Sequence, residues 1–319
     1  MISIILNSFN LSRYIGEAIQ SLLEQDYQKD YEIIIVDDAS TDDSRIIIES
    51  FNDPRLKKIY LQENKGARNA VELAFAKASG EYICRFDADD IWPVNFLTIT
   101  SEVLDTNKDI DMVYGDYWPI NSNGEITSPN SFSVRPFNNE PVLANEFLAI
   151  LRKYYINAPT IMFRRAAFNK AIPLPLVLTN FIDWYISLKI LQSGKAYYIN
   201  RPIAFYRIHE SNMHRQQIGS RLGEFTTNFI MDYFVVRNVS ISNKNRNHIL
   251  AINYFVLAEK YFGIKLFGDA KRLYLQAKAL HWRYIFNLTF LKHLFGVFFP
   301  KYYDNIKYFY NNSLKVLSL

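Results

Sequence analysis

Arg85-Phe86-Asp87-Ala88-Asp89-Asp90-Ile91-Trp92-Pro93 places three carboxylates within four positions, directly after the apolar run Tyr82-Ile83-Cys84. An apolar run that ends in acids and then in Trp-Pro reads as a buried strand delivering its last residues to a sheet edge. Carboxylates this close repel one another, and some are pushed toward protonation unless a cation joins them. Clustered carboxylate oxygens suit a hard divalent ion such as Mg²⁺ or Mn²⁺, which keeps waters and also takes phosphate oxygens. The competing reading is an acidic turn that caps the following helix. Spacing alone does not separate the two.

Three strands are expected before this one: Ile2 to Leu6, a continuous apolar run, Glu32 to Val36, a second buried strand, and Leu56 to Leu61. Continuous apolar runs are expected where both faces of a parallel sheet are covered. Between the first two, Tyr14, Ile15, Ala18, Ile19, Leu22 and Leu23 recur at helical spacing, with Ser12 as N-cap. Asp42 and Asp43 suit the first turn of a second helix. Gly66 opens a third, Ala67 to Ser79, which Gly80 closes in the left-handed position after the last turn. Strand and helix thus alternate from Met1 to about Asp116. That order predicts an α/β fold, a mostly parallel Rossmann-like sheet with helices on both faces. Such sheets bind ligands beyond the carboxyl ends of their strands. Phe9, Asp37, Asp38, Asp87, Asp89 and Asp90 all fall at those ends, so residues distant in sequence are expected to share one crevice.

No G-x-G-x-x-G follows the first strand, and no P-loop lysine motif is present, which argues against a dinucleotide oxidoreductase and a P-loop ATPase. The single cysteine, Cys84, excludes a disulfide framework and a cysteine-rich metal site. It reads as a buried structural thiol. The N-terminus has no basic leader and no apolar run spans a bilayer without a charge, so a cytoplasmic protein is expected.

Beyond Val113 the pattern loosens. A helix is expected from Asn139 to Leu151, a short strand from Thr160 to Phe163, and a helix from Ile182 to Leu191. Two short strands, Ala196 to Ile199 and Ile203 to Arg207, precede the loop His209 to His214. Helices follow at about Leu222 to Val236, His248 to Phe262, Asp269 to Leu280 and Tyr284 to Phe299, the second and third forming a packed pair. Charge divides at the same place: residues 1–214 hold 21 Lys+Arg against 27 Asp+Glu, and residues 215–319 hold 15 against 5. Such asymmetry suggests separate domains, the second facing something anionic.

The ordered set Ile2-Ser3-Ile4-Ile5 with Asn10, Val36-Asp37-Asp38-Ala39-Ser40-Thr41, Asn64-Lys65-Gly66-Ala67-Arg68-Asn69, and Gly80-Glu81-Tyr82-Ile83 running into Asp87-Ala88-Asp89-Asp90 resembles the family 2 glycosyltransferases of GT-A fold. The resemblance covers residues 1 to about 95 well and reaches about 214 more loosely. It implies a GT-A catalytic domain over 1–214, its nucleotide-binding half about 1–116 and its acceptor half about 117–214, followed by an all-helical region over 215–319. It implies inverting transfer of a sugar from a nucleotide diphosphate, with UDP favoured, to a saccharide or lipid-linked acceptor in surface polysaccharide assembly. Phe9 would stack on the base near Asn10 and Arg68, Asp37 or Asp38 would accept a hydrogen bond from it, and Asp87 would contact ribose. Asp89 would hold Mn²⁺ or Mg²⁺ across the diphosphate. Asp183, the only acid between Glu146 and Glu210, stands where the family carries its base, although Ile182 replaces the usual first acid of the pair. The bland alternative for Asp183 is the N-cap of a helix from Trp184 to Leu191. Tyr206-Arg207-Ile208-His209 with Ser211 resembles the late loop that closes on the diphosphate. His209 would ligate the metal or donate to phosphate, and Arg207 would pair with phosphate. Trp92 and Trp184 either stack on sugar rings or serve as packing.

A nucleotidyltransferase on a similar sheet is the alternative enzyme, but Asn7-Ser8-Phe9-Asn10 lacks the glycine-rich basic loop that class needs. A non-catalytic scaffold is the alternative without chemistry, yet every acid is in place. The basic helices suit either an anionic membrane surface or a bundle packed on the catalytic domain or in a homo-oligomer interface. Nucleic acid is not expected, since no recognition motif accompanies the charge.

Overall fold

The computed structural model describes residues 1–128, 146–210, 212 and 221–281. Seven strands form one sheet: β1 (Ile2–Ser8), β2 (Tyr31–Asp37), β3 (Leu56–Tyr60), β4 (Tyr82–Asp87), β5 (Met112–Ile120), β6 (Met162–Arg164) and β7 (Ala196–Arg207), in the order β3-β2-β1-β4-β6-β5-β7. β6 runs antiparallel to both of its neighbours, and the other pairings are parallel. The helices are α1 (Ser12–Leu23), α2 (Ser44–Ser50), α3 (Ala67–Lys77), α4 (Phe96–Thr106), α5 (Glu146–Arg152), α6 (Arg165–Phe168), α7 (Ile182–Leu191), α8 (Leu222–Met231), α9 (Asn243–Gly263) and α10 (Phe267–Leu280).

Alternation along the strands divides the core between two faces. Ile2, Ile4, Leu6, Ile33, Ile35, Cys84 and Phe86 pack with Ile15, Ile19 and Leu22 of α1, Ile48 of α2, and Phe96, Leu97 and Leu104 of α4. The alternate residues Ile5, Ile34 and Ile83 are also fully buried, and α3 packs on β1 and β2 through buried Ala70, Val71 and Ala74. Both faces are covered, which is why these strands read as unbroken apolar runs.

The helix starts correct two sequence expectations. Ser12 is not a side-chain cap: its amide donates to Asp42 Oδ2 at 2.8 Å, while Asp42 Oδ1 accepts from the Ser44 amide at 3.0 Å. Asp42 thus serves the N-termini of α1 and α2 together. Burial works against its charge, but the bonds from Ser44 and Ser12 outweigh it and hold the carboxyl below its ordinary range. Gly80 is not a left-handed helix stop. It is glycine because a Cβ there would lie 2.5 Å from the Ser3 amide nitrogen. The two short strands expected after α7 are one strand, β7, whose pairing with β5 shifts register between Gly115 and Tyr117. The expected helix from Asn139 is seen only as α5, its earlier part lying outside the described residues.

The chain divides into two compact units, Met1–Ile150 with Tyr154–Asn212, and Leu151–Lys153 with Met213–Leu319. In the second, Ser242 Oγ caps α9 by accepting from the Asn245 amide at 3.3 Å. Leu257, Ala258, Tyr261 and Phe262 of α9 pack on Ala270, Leu273 and Tyr274 of α10, the helical pair expected from the sequence. No described helix is long and apolar enough to cross a membrane. The expected helix Tyr284 to Phe299 lies outside the described residues.

Candidate active site

Parallel register sets Ser8 beside Asp37 and Asn7 beside Asp87, so the ends of β1, β2 and β4 form one edge. At the β2 end, Asp37 accepts from the Ser40 amide at 3.2 Å and from its hydroxyl. Asp38 accepts from the amides of Lys65 at 2.7 Å and Gly66 at 2.8 Å, fixing the entry to α3. Gly66 takes φ +81°, a backbone position that penalises a side chain. Asn10, itself at φ 52°, accepts from the Thr41 amide at 2.8 Å and so joins the loops after β1 and β2. Phe9 beside it is 43% exposed, a large ring held open to solvent at the crevice. Arg68 pairs with Glu72 at 2.7 Å and donates to Asn69, turned along its own helix.

At the β4 end, Arg85 Nη2 donates to Asp87 Oδ1 at 2.6 Å, and Arg85 Nε has no hydrogen-bond partner. Burial works against the guanidinium charge, but Asp87, then Asp183, Tyr154 and Asp90, outweigh it and raise its pKa. Burial pushes the Asp87 carboxyl up to about 6, opposed by Arg85 and reinforced by the charges of Asp89 and Asp183. Asp90 is 1% exposed. Its carboxyl is pushed well up by burial and by Asp89 and Asp87, and its Oδ2 has no partner. Asp89 Oδ2 meets His209 Nε2 at 2.9 Å and Asn212 Nδ2 at 3.2 Å. Asp183 sits in the first turn of α7, near Asp87, Arg85 and the Tyr154 hydroxyl. Phe181 is the N-cap residue of that helix, so the capping alternative for Asp183 does not apply.

Residues 3–172 match the model of glycosyl transferase family 2. The chain belongs to that family. An uncharacterised glycosyltransferase of Nostoc is 31% identical over 252 residues, 73% of this chain and 76% of that one. The Escherichia coli UDP-Glc:α-D-GlcNAc-diphosphoundecaprenol β-1,3-glucosyltransferase WfgD is 27% identical over 74% of this chain and 93% of its own. Among solved structures, S. aureus TarS 1–349 in complex with UDP-GlcNAc superposes with a TM-score of 0.66 at 21% identity, covering 86% of this chain and 79% of that one. The mannosyltransferase PcManGT from Pyrobaculum calidifontis, in complex with GDP-Man and Mn²⁺, gives 0.55 at 20% identity over 89% and 74%. These structural likenesses confirm the GT-A fold.

Three expectations for this family 2 glycosyltransferase are corrected by burial. Trp92 is 2% exposed, stacks on Phe96 with ring centroids 3.8 Å apart, and donates its indole N–H to the Pro159 carbonyl at 2.7 Å. Trp184 is 4% exposed and donates to the Ile150 carbonyl at 2.9 Å. Both indoles are core, not platforms for a sugar. Arg207 is 1% exposed and spends its guanidinium on the carbonyls of Asp89 at 2.7 Å, Asn121 at 3.3 Å and Ser122 at 3.4 Å, and on Glu17. Its amide also donates to Asp90 Oδ1 at 2.9 Å. Arg207 therefore clamps the acidic turn to α1, with its guanidinium buried and spent mainly on those carbonyls and Glu17. Ser211 lies outside the described residues.

Arg85 is the residue the sequence reading passed over. Its signal was present: a lone cation inside an apolar buried strand, two positions before an acid.

Proposed function

We propose that the chain transfers a hexose from a UDP-sugar to a hydroxyl of a saccharide carried on a lipid diphosphate, with inversion, in bacterial surface polysaccharide assembly. The observation that carries the reading is the gathering of Asp87, Asp90 and Asp183 around Arg85, with Asp89 beside Asp87 and Asp90, at the carboxyl end of β4. The names of the family relatives favour the UDP-sugar donor and the lipid-linked acceptor. A lipid carrier also suits the basic charge of residues 215–319, which favours an anionic membrane surface.

Phe9 offers its open ring to the base, beside Asn10 and Arg68. Asp37 and Asp38 are each held by the turns they fix, and a carboxyl group so held has lone pairs left to accept from the base. Asp87 faces the ribose. Asp89 offers carboxylate oxygens that suit Mn²⁺ or Mg²⁺, with the His209 imidazole beside it, and the buried Asp90 Oδ2 is a further oxygen there without a hydrogen-bond partner. Among the described residues no three His, Cys, Asp or Glu side chains gather into a metal cage. Two protein ligands with the rest from diphosphate and water is the usual Mg²⁺-type arrangement. When bound, such a cation stabilises the charge that builds on the departing diphosphate.

Asp183 acts as general base. The acceptor oxygen attacks the anomeric carbon opposite the diphosphate and forms the new glycosidic bond, its proton passing to the Asp183 carboxylate. The old C–O bond breaks, its electron pair leaving on the β-phosphate oxygen.

Mass spectrometry of reactions holding UDP-glucose or UDP-GlcNAc, Mn²⁺ and a synthetic GlcNAc-diphospholipid tests this. The wild type adds one sugar. Asp183→Asn lowers kcat by about a thousand-fold while UDP affinity stays within about two-fold. Transfer at the wild-type rate by that variant would remove Asp183 from the reaction.

A further inference from the structure

With Trp92 and Trp184 in the core, the aromatic surface beside the acids lies on β5 and β7. The register shift between Gly115 and Tyr117 gives β7 extra residues: Gly115 pairs with Ile199, Asp116 with Pro202, and Tyr117 with Ala204. Such bulges bend a strand and re-aim its side chains, often beside active sites. Gly115 permits this one, since a Cβ there would lie 2.9 Å from Ile203. Beyond it, Tyr117 and Tyr206 fall on one face, their rings edge to face with centroids 5.4 Å apart. Trp118 and Phe205, directly paired, stack on the other face at 5.0 Å.

Tyr117 and Tyr206 are both half-buried residues. They adjoin the acidic turn. Ile91 and Phe205 exchange both backbone hydrogen bonds, at 3.2 and 2.9 Å, which brings the turn against β7 one residue before Tyr206. Burial first, then Asp90, Asp89 and Asp87, push the Tyr206 phenol well above its ordinary range, so it stays a neutral donor facing carboxylates. Burial likewise raises Tyr117, against a hydrogen bond with the Asn157 side chain that lowers it, and Asp116 and Asp90 add to the rise.

Strand order fixes which substrate meets this pair. Phe9, Asp37 and Asp38 follow β1 and β2 on one side of β4, whereas β5 and β7 lie on the other side. A donor seated on the β1–β2 side has its diphosphate at the acids of β4. What approaches from the β5–β7 side is the second substrate. A pair of phenols offers flat apolar faces with polar tips, which matches the C–H face and hydroxyl rim of a pyranose.

We propose that Tyr117 and Tyr206 form the ledge on which the acceptor's sugar ring stacks. This rests on the glycosyl-transfer reading above and assigns the other half of the same site.

Saturation-transfer NMR of the full chain with UDP and Mn²⁺, against the methyl glycosides of glucose, GlcNAc, galactose and rhamnose, tests it. UDP affinity measured by calorimetry in the same samples is the control. At least one glycoside receives saturation from the wild type. Tyr117→Ala and Tyr206→Ala each weaken that contact by about ten-fold with UDP affinity unchanged, and Tyr117→Phe and Tyr206→Phe keep it, because the ring is what stacks. No glycoside contact in a wild type that binds UDP overturns the ledge, as does contact that survives both alanine substitutions. Loss of UDP affinity along with glycoside contact in the alanine variants makes the pair a structural element and also overturns it. A wild type that fails to bind UDP defeats the UDP-sugar reading on which the ledge rests, and the ledge with it.

Discussion

Glu32 and Asp87 stand at opposite ends of the same sheet, on β2 and β4, the two strands that flank β1, and their surroundings differ in kind. Glu32, near the start of β2, accepts from the Ser3 hydroxyl, from the Ser79 amide at 2.7 Å and hydroxyl at 2.7 Å, and from Lys57. Burial opposes its charge, but those bonds overcome it and hold the carboxyl down at about 2. Asp87, at the end of β4, has Arg85 for a partner and two more carboxylates as neighbours, and is pushed up to about 6. One end of the sheet satisfies its buried charge and the other leaves it under-compensated. Charge held short of partners is what a site awaiting a cation and a diphosphate requires, and perturbed carboxyls in a crevice mark functional positions. On the proposed function, the amino end of the sheet supports the fold and the carboxyl end carries the chemistry.

The sharpest way to break this comparison is to remove the cation that pairs with Asp87 at the carboxyl end. Arg85→Leu leaves Asp87 and Asp183 without their buried counter-charge, and urea titration is expected to show a loss of about 3 kcal/mol. Stability equal to the wild type would mean that Arg85 does not hold the acids.

At the amino end, Glu32→Gln is expected to lower stability by about 2 kcal/mol at neutral pH, from lost charge-assisted bonds to Ser3 and Ser79. Lys57 contributes little to this, because its side chain is 51% exposed. A depressed carboxyl stabilises the folded state above its unfolded pKa. The gap between wild type and variant should therefore close as pH falls from about 4.5 toward about 2. A gap independent of pH would deny that Glu32 is ionised in the fold.

Asp87 gives the opposite sign. Its raised pKa means that the folded chain binds a proton the unfolded chain has released, so stability falls as pH rises from about 4 through about 6. The side chain retains 29% exposure, which limits the fall to about 1 kcal/mol. Thermal melts of the ligand-free chain should show it, and Mn²⁺ with UDP should reverse it. A decline that persists with both present would separate the acids from ligand binding.

Much of this was legible in the sequence, for physical reasons. β1, β2 and β4 are unbroken apolar runs because both faces are covered, and their terminal acids announce the edge. Other features were not legible. β6 has three residues, too few to display a period or a direction. Asn200-Arg201-Pro202 looks like a break between strands, yet the register shift against β5 absorbs it. Trp92 and Trp184 could not be assigned to core or site, since each is decided by a carbonyl far away in sequence, Pro159 or Ile150. Arg207 looked available for phosphate because the four acceptors that enclose it come from separate loops and from α1.

The most direct test of the central claim is calorimetric titration of UDP into the wild type and Asp89→Asn, each with Mn²⁺ and with chelator. The account predicts that UDP binds the wild type with Mn²⁺ present, and that either chelator or Asp89→Asn abolishes binding. UDP affinity that is equal with and without metal, and unaltered by Asp89→Asn, would contradict it.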